Sequence, residues 1–363
     1  METIFITNQF KTGGVERVFL NIANNTTKKL YLFPIHANYD KGFYDAIPSN
    51  VEVIQPDFKL KRNLFDVPKL IVMASRINKI FGKTEIRAIN FSDNFSTLLV
   101  SFLIKAREHL SWIHCNPAEF PKSKLFPFYQ YLFKKCKNVV CLCERQSEVF
   151  KKVFSFKKKK ELEKIVVCKN LLDIKRIDAL KNESIDTNYK YILKVARFDF
   201  RSKDYYTLIS AYEKLGIDII KDVKLVLLGD GADEQKIRDF IHSKNLDDYI
   251  ILPGADSNPY KWFHNAEFSV LSSTNEGYPM VVVESLACEC PVISSNCDSG
   301  PSDILDNGKY GLLFEVGNVQ QLYEAMLHYL TEKSSDFLNK DLLRKRVLEL
   351  NEQSIQALQK ILN

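Results

Sequence analysis

Apolar residues gather into short uninterrupted runs, and between them apolar positions recur every three or four residues. Continuous runs suit strands buried on both faces, and the wider spacing suits helices that cover them. The first series predicts a strand over 4–7, a Gly13-Gly14 turn opening a helix near 15–24, and a strand over 30–34. Strand, glycine turn, helix and strand form a Rossmann-like opening. After a loop-rich middle, strands over 87–91, 110–114, 139–143 and 165–168 close a first sheet. Residues 173–189 are polar and charged and read as a linker. A second series then starts: strand 192–196, helix 205–215, strand 224–228, a Gly229-Asp230-Gly231 turn, helix 232–243 and strand 250–252. The tail from 341 to 363 reads as two amphipathic helices. The pattern therefore predicts an α/β chain of two Rossmann-like domains, 1–172 and 191–340, joined by a linker over 173–190. Helices over 341–363 are expected to pack back on the first domain.

The most informative stretch is 268–295, FSVLSSTNEGYPMVVVESLACECPVISS. It reads as strand, polar loop, helix and strand, with Pro279 suited to the start of the helix because a helix start leaves its N–H groups unpaired anyway. A helix beginning beyond the carboxyl end of a strand presents free N–H groups and the positive end of its dipole, which favours a phosphate. Glu276 in the loop and Glu284 in the helix are placed to face one ligand; read singly, each is an ordinary solvated carboxylate. Arg197 and Lys203 flank the loop after strand 192–196, where cations meet phosphates, unless the loop is merely basic and solvated. Gly229-Asp230-Gly231 lacks the third glycine of a dinucleotide fingerprint. His114 is expected at a strand's carboxyl end, since Pro117 disfavours helix at Asn116. Gly13-Gly14 either lets backbone approach a ligand or simply makes a tight turn.

Length and composition narrow the class. A chain of 363 residues exceeds what one core usually supports. Apolar residues at 45% and charged residues at 26% are ordinary for a globular protein, and no run is long enough to span a membrane. Met1 leads directly into a core-like strand, so no signal peptide is expected. The eight cysteines show no C-x-x-C pair, which favours reduced thiols over zinc or disulfides. The net charge of +6 is modest, and short lysine runs read as solvated surface, without nucleic acid.

With these residues in place, the chain resembles the retaining glycosyltransferases of family 4, the GT-B architecture with two facing domains and a cleft between them. The resemblance rests on an E-x7-E motif running from Glu276 through Gly277, Tyr278, Pro279, Met280 and Val281 to Glu284. It is supported by Gly13-Gly14-Val15-Glu16-Arg17, Val195-Ala196-Arg197 with Lys203, Gly229-Asp230-Gly231, Gly300-Pro301-Ser302 and Gly311-Leu312-Leu313-Phe314. Two positions depart from the family: Asp204 replaces the glycine after the lysine, and Glu289 replaces a glycine at the end of the motif helix.

The resemblance implies transfer of a sugar from a nucleotide-diphosphate sugar, expected to be a UDP-sugar, to a glycan or lipid-linked glycan in surface polysaccharide, lipopolysaccharide or capsule biosynthesis. It implies that Arg197 and Lys203 neutralise the diphosphate in place of a metal ion, so that no metal or cofactor is needed. Glu284 holds ribose hydroxyls. Glu276 lies by the donor sugar, with backbone N–H groups of Gly277 to Val281 on sugar and phosphate, and Gly14 and Gly229 complete the donor set. His114 stabilises the transition state without acting as base. No carboxylate stands out as a covalent nucleophile, which favours a front-face route. Rival readings are a non-hydrolysing nucleotide-sugar epimerase, which needs more acid/base groups than six scattered histidines provide, a non-catalytic nucleotide-sugar-binding subunit, and a nicotinamide dehydrogenase resting on fold alone. The basic, aromatic segments 122–137 and 150–160 predict a cytoplasmic enzyme peripheral on the inner face of the cytoplasmic membrane; the alternative is that they are core-facing helices with a basic outer side.

Overall fold

A computed structural model describes residues 1–9, 14–36, 41–56, 60, 66–331 and 339–363. Two compact units emerge: Met1–Leu171 with Gln353–Asn363, and Leu172–Glu352.

The first unit is built on a seven-stranded sheet of β1 (Glu2–Thr7), β2 (Leu30–Pro34), β3 (Val51–Val53), β4 (Ile86–Asn90), β5 (Glu108–Trp112), β6 (Asn138–Cys141) and β7 (Ile165–Val167), in the order β3-β2-β1-β4-β5-β6-β7. Every pairing is parallel. The order reverses between β1 and β4, and ligands of open α/β sheets bind at such a reversal, outside the carboxyl ends of the strands. The middle of this unit is not loop-rich. Helix Val67–Phe81 occupies much of it and buries Leu70, Met73, Ala74, Ile77 and Phe81, a stripe at helical spacing.

The second unit holds six parallel strands, β8 (Lys190–Val195), β9 (Val223–Leu228), β10 (Ile250–Gly254), β11 (Phe268–Leu271), β12 (Val292–Ser295) and β13 (Leu312–Phe314), ordered β10-β9-β8-β11-β12-β13. Here the reversal falls between β8 and β11. Ile192, Leu225, Phe268 and Ile293 from the strands pack with Leu208, Tyr212, Ile237 and Leu322 from the helices.

Two expectations are corrected. The polar stretch 173–189 contains helix Ile174–Leu180, capped when the Asp173 side chain accepts from the Arg176 N–H and anchored by fully buried Ile177. The tail is one helix, Lys340–Leu362, because no glycine or proline interrupts it. Its final turns belong to the first unit, where the Lys28 ammonium and the Arg87 guanidinium donate to the carbonyls of Leu362 and Ile361 at 2.7 Å each. All eight cysteines are free thiols.

Candidate active site

The second unit brings the motif residues to its topological reversal. β8 leads into the loop with Arg197 and Lys203, and β11 leads into the loop with Glu276. Backbone ties these loops together, the Thr274 N–H donating to the Ser202 carbonyl at 3.0 Å. Lys203 Nζ meets Glu276 Oε1 at 2.6 Å, with both side chains largely shielded. This lysine and glutamate, which the sequence assigned to phosphate and sugar, are partners in the free protein. Arg197 is exposed instead, its guanidinium 3.8 Å from Asp199.

Pro279 is the N-cap residue, with ψ 97°, and helix Met280–Ala287 starts one residue later than Pro279's expected place inside it. Glu284 is not a solvated helix glutamate: it is 7% exposed. The loop over Gly277, Tyr278 and Pro279 is held from outside by Gly300, at φ 92°, where a Cβ would come within 2.4 Å of Pro279 Cδ. Ser299 Oγ donates to the Glu276 carbonyl at 2.5 Å. Gly229 has a steric reason to be glycine, since a Cβ there would stand 2.0 Å from the Ala196 carbonyl oxygen. The turns after β8 and β9 thus press backbone against backbone.

Asp204 and Glu289, the two departures from the family's glycines, both adopt the left-handed conformation that glycine favours, at φ 45° and 61°. Asp204 then caps helix Tyr205–Glu213, accepting from the Thr207 N–H at 3.0 Å and its hydroxyl at 2.7 Å. Glu289 pairs with Lys181 at 2.6 Å.

One residue of this edge escaped the sequence reading. Lys194, in β8, is 1% exposed. Its ammonium donates to the Lys203 carbonyl and to Ser272 Oγ, both at 2.8 Å, and lies 5.0 Å from the centre of the Tyr205 ring. Burial pushes its pKa down to about 7; Lys203 adds to the effect, and Glu276 and Asp204 oppose it. A charged residue inside a run of strand apolars was the available signal.

In the first unit His114 lies two residues beyond β5, which ends at Trp112. Its ring meets Phe91 edge-on at 4.5 Å, and burial pushes its pKa down to about 3, so the imidazole is neutral. Nε2 has no hydrogen-bond partner among the protein atoms. Asp93, also missed from the sequence, accepts from the His114 N–H at 2.9 Å. Burial raises its pKa to about 6 against the opposing bonds from His114 and Cys115. Gly14 is the first residue of helix Gly14–Asn24, and a Cβ there would meet nothing within 4 Å; Gly13 lies outside the described residues. A cavity of about 510 Å³ opens near the carboxyl ends of β1, β2 and β4, where polar Asn8, His36 and Asn94 face apolar Leu70, Leu99 and Leu125.

The basic segments are only partly surface. Tyr129, Phe133, Phe150, Phe154 and Phe156 are buried in one aromatic cluster, and Phe128 and Tyr131 are exposed, at 58% and 61%. Gln130 donates to the Phe154 carbonyl, and Lys164 donates to the Lys134 carbonyl, so the two segments adjoin. Among the described residues no helix is long and apolar enough to cross a membrane, and no group of three or more His, Cys, Asp or Glu side chains is placed to hold a metal ion.

Residues 175–343 match the family model of glycosyl transferases group 1. Over 163 residues the chain is 34% identical to the N-acetylgalactosamine-N,N'-diacetylbacillosaminyl-diphospho-undecaprenol 4-alpha-N-acetylgalactosaminyltransferase of Campylobacter jejuni, covering 45% of this chain and 43% of that protein. It is 29% identical over 227 residues to an uncharacterized glycosyltransferase of Methanocaldococcus jannaschii, covering 56% and 54%. The chain thus spans about half the length of these curated relatives. Among solved structures, Anabaena Alr3699/HepE in complex with UDP and glucose superposes with a TM-score of 0.77 at 17% identity, over 99% of both chains. The chain is accordingly an α/β protein that shares the fold of the Anabaena structure, and its residues 175–343 are similar to the glycosyl transferases group 1 family.

Proposed function

We propose that this protein is a retaining, metal-independent glycosyltransferase that moves a sugar from a UDP-sugar to a glycan or lipid-linked glycan acceptor in surface polysaccharide biosynthesis. The observation that carries the reading is the meeting of Lys203, Glu276 and the start of helix Met280–Ala287 at the reversal between β8 and β11, within the matched domain. A diphosphate is favoured there by Lys203, by exposed Arg197 beside Asp199, and by the N-terminus of the helix. The Campylobacter relative's name describes a lipid-diphosphate acceptor, and the Anabaena structure holds UDP.

In the proposed step the bond from the sugar's anomeric carbon to the β-phosphate oxygen breaks, and the acceptor oxygen bonds to that carbon on the same face. The acceptor's proton passes to the leaving phosphate. Cations and helix N–H groups stabilise the charge growing on the diphosphate. Glu284 takes the ribose hydroxyls and Glu276 the sugar. Neutral His114 contributes hydrogen bonding to the transition state through its ring N–H, since an imidazole held at about 3 is not an imidazolium acid. The amphipathic cavity of the first unit takes the acceptor. Exposed Phe128 and Tyr131 with Lys157 to Lys160 hold the enzyme on an anionic, cytoplasm-facing membrane surface.

The test is a panel of UDP-, GDP- and ADP-sugars read by thermal shift, followed by transfer of labelled sugar to lipid extract with and without EDTA. Stabilisation by UDP-sugars and EDTA-resistant transfer with retained anomeric configuration are expected. Free epimerised donor in the absence of acceptor would replace this reading with the epimerase. Equal, negligible pelleting with anionic and neutral liposomes at low salt would remove the membrane surface.

A further inference from the structure

Lys194 carries an amine buried beneath the candidate diphosphate site, with no carboxylate of the described residues within salt-bridge reach. The local carboxylate groups are committed elsewhere: Glu276 pairs with Lys203 at 2.6 Å, and Asp204 accepts from the Thr207 N–H and hydroxyl. The groups facing the amine from each neighbouring element are the Lys203 carbonyl and side chain on the β8 loop, Ser272 at the end of β11, Glu276 beyond it, and Asp204 and Tyr205 at the head of the next helix. Ser272 relays the tie, its hydroxyl also lying 2.9 Å from the Lys203 carbonyl and 3.0 Å from the Asp204 carbonyl. One amine therefore pins the backbone that carries Lys203. The cluster sets Lys194 and Lys203 against Glu276 and Asp204, and Glu276 is already paired with Lys203, so an incoming anion adds negative charge that favours the protonated amine.

We propose that Lys194 is a positioning residue that couples anion binding to proton uptake: it fixes the Lys203 loop, and it takes a proton from solvent when a nucleoside diphosphate adds its charge at Lys203. This rests on the reading of the β8–β11 edge as a diphosphate site. In balance, the neutral amine becomes an ammonium, the proton comes from buffer, and no covalent bond changes. Burial makes the charged form costly without the anion and affordable with it. The low resting pKa of this amine, about 7, leaves it mostly unprotonated in mildly alkaline solution.

The experiment is calorimetric titration of the full chain with UDP at about pH 8, in Tris and in HEPES, whose different ionisation enthalpies reveal net proton transfer. Uptake of roughly half a proton or more per UDP is expected for the wild type. Lys194→Arg, which stays charged, should show no such uptake, and neither should Lys194→Met, which carries no proton at all. Circular dichroism establishes which variants fold, and either one suffices. Lys194→Met should also weaken UDP binding by about tenfold or more through the unpinned loop. Wild-type uptake equal to that of the variants overturns the inference. If UDP does not bind, the nucleotide reading fails by itself, and the same comparison is made with inorganic pyrophosphate. Pyrophosphate uptake that differs between wild type and variant supports Lys194, and failure of both anions to bind refutes the site.

Discussion

Replacing Lys194 by methionine should reverse the sign of its effect on stability between neutral and alkaline pH. In an unfolded chain the ammonium titrates near 10.4. In the folded protein burial holds it at about 7. The folded value lies below the unfolded one, so between them the unfolded chain binds the extra proton. Stability is then lost as pH falls from about 10 to 7 and is level below that. Roughly three pKa units at about 1.4 kcal/mol each amount to some 4–5 kcal/mol. Against this, the amine's hydrogen bonds to the Lys203 carbonyl and Ser272 contribute about 1 kcal/mol each, and methionine forfeits them. Lys194→Met should therefore stabilise the second unit by about 2 kcal/mol at pH 7 and destabilise it by about as much near pH 10. The assay is urea unfolding of wild type and variant across that range, followed at Trp262, which lies in the second unit, with the other tryptophan, Trp112, in the first. Other titrating groups cancel in the difference. A difference that stays constant from pH 7 to 10 would refute the assignment of a buried, mostly neutral amine.

Substitutions at three further positions test the geometry. Asp93→Asn should stabilise the first unit by up to about 2 kcal/mol at pH 7.5 and by nothing near pH 3.5, because a carboxyl raised to about 6 costs stability only where it is charged; equal melting shifts at both pH values would contradict this. Asp204→Ala should cost about 2 kcal/mol by losing both bonds to Thr207 while keeping a Cβ in left-handed backbone, whereas Asp204→Gly, which removes that Cβ, should cost about 1 or less, as denaturant midpoints will show. Gly300→Ala brings a Cβ to 2.4 Å from Pro279 Cδ and should lower both the melting temperature and the affinity for UDP, with an unchanged affinity excluding any hold of Gly300 over that loop.

The strands were legible because a parallel sheet covered on both faces leaves nearly pure apolar runs, as in Val223–Leu228 and Phe268–Leu271. The candidate site was legible where side chains sit on loops that follow those runs, as Arg197, Lys203 and Glu276 do. Helix Val67–Phe81 carries a visible stripe of buried residues and was passed over because Pro68 and its polar surroundings look like loop. Pairings across the chain were beyond reach: Lys203 and Glu276 are 73 residues apart, and Lys194 and Ser272 are 78 apart. Asp93 gave no signal at all, since it is held by the backbone N–H of His114 and by Cys115.

The same physics explains why the two departures from the family's glycines do not disturb the site. Glycine is favoured at such positions because a Cβ in left-handed backbone costs about 1–2 kcal/mol, a penalty that a side chain can offset by doing something glycine cannot. Asp204 offsets it with two bonds to Thr207 at the head of helix Tyr205–Glu213, and Glu289 with a partly buried ion pair to Lys181 just beyond helix Ile174–Leu180. Gly229 and Gly300 have no such route, because a Cβ there would strike atoms at 2.0 and 2.4 Å. Backbone conformation alone can be met by a short polar residue; backbone contact cannot. The glycines retained around the β8–β11 reversal are those where loops touch, and that contact holds Lys203, Glu276 and the start of helix Met280–Ala287 in register.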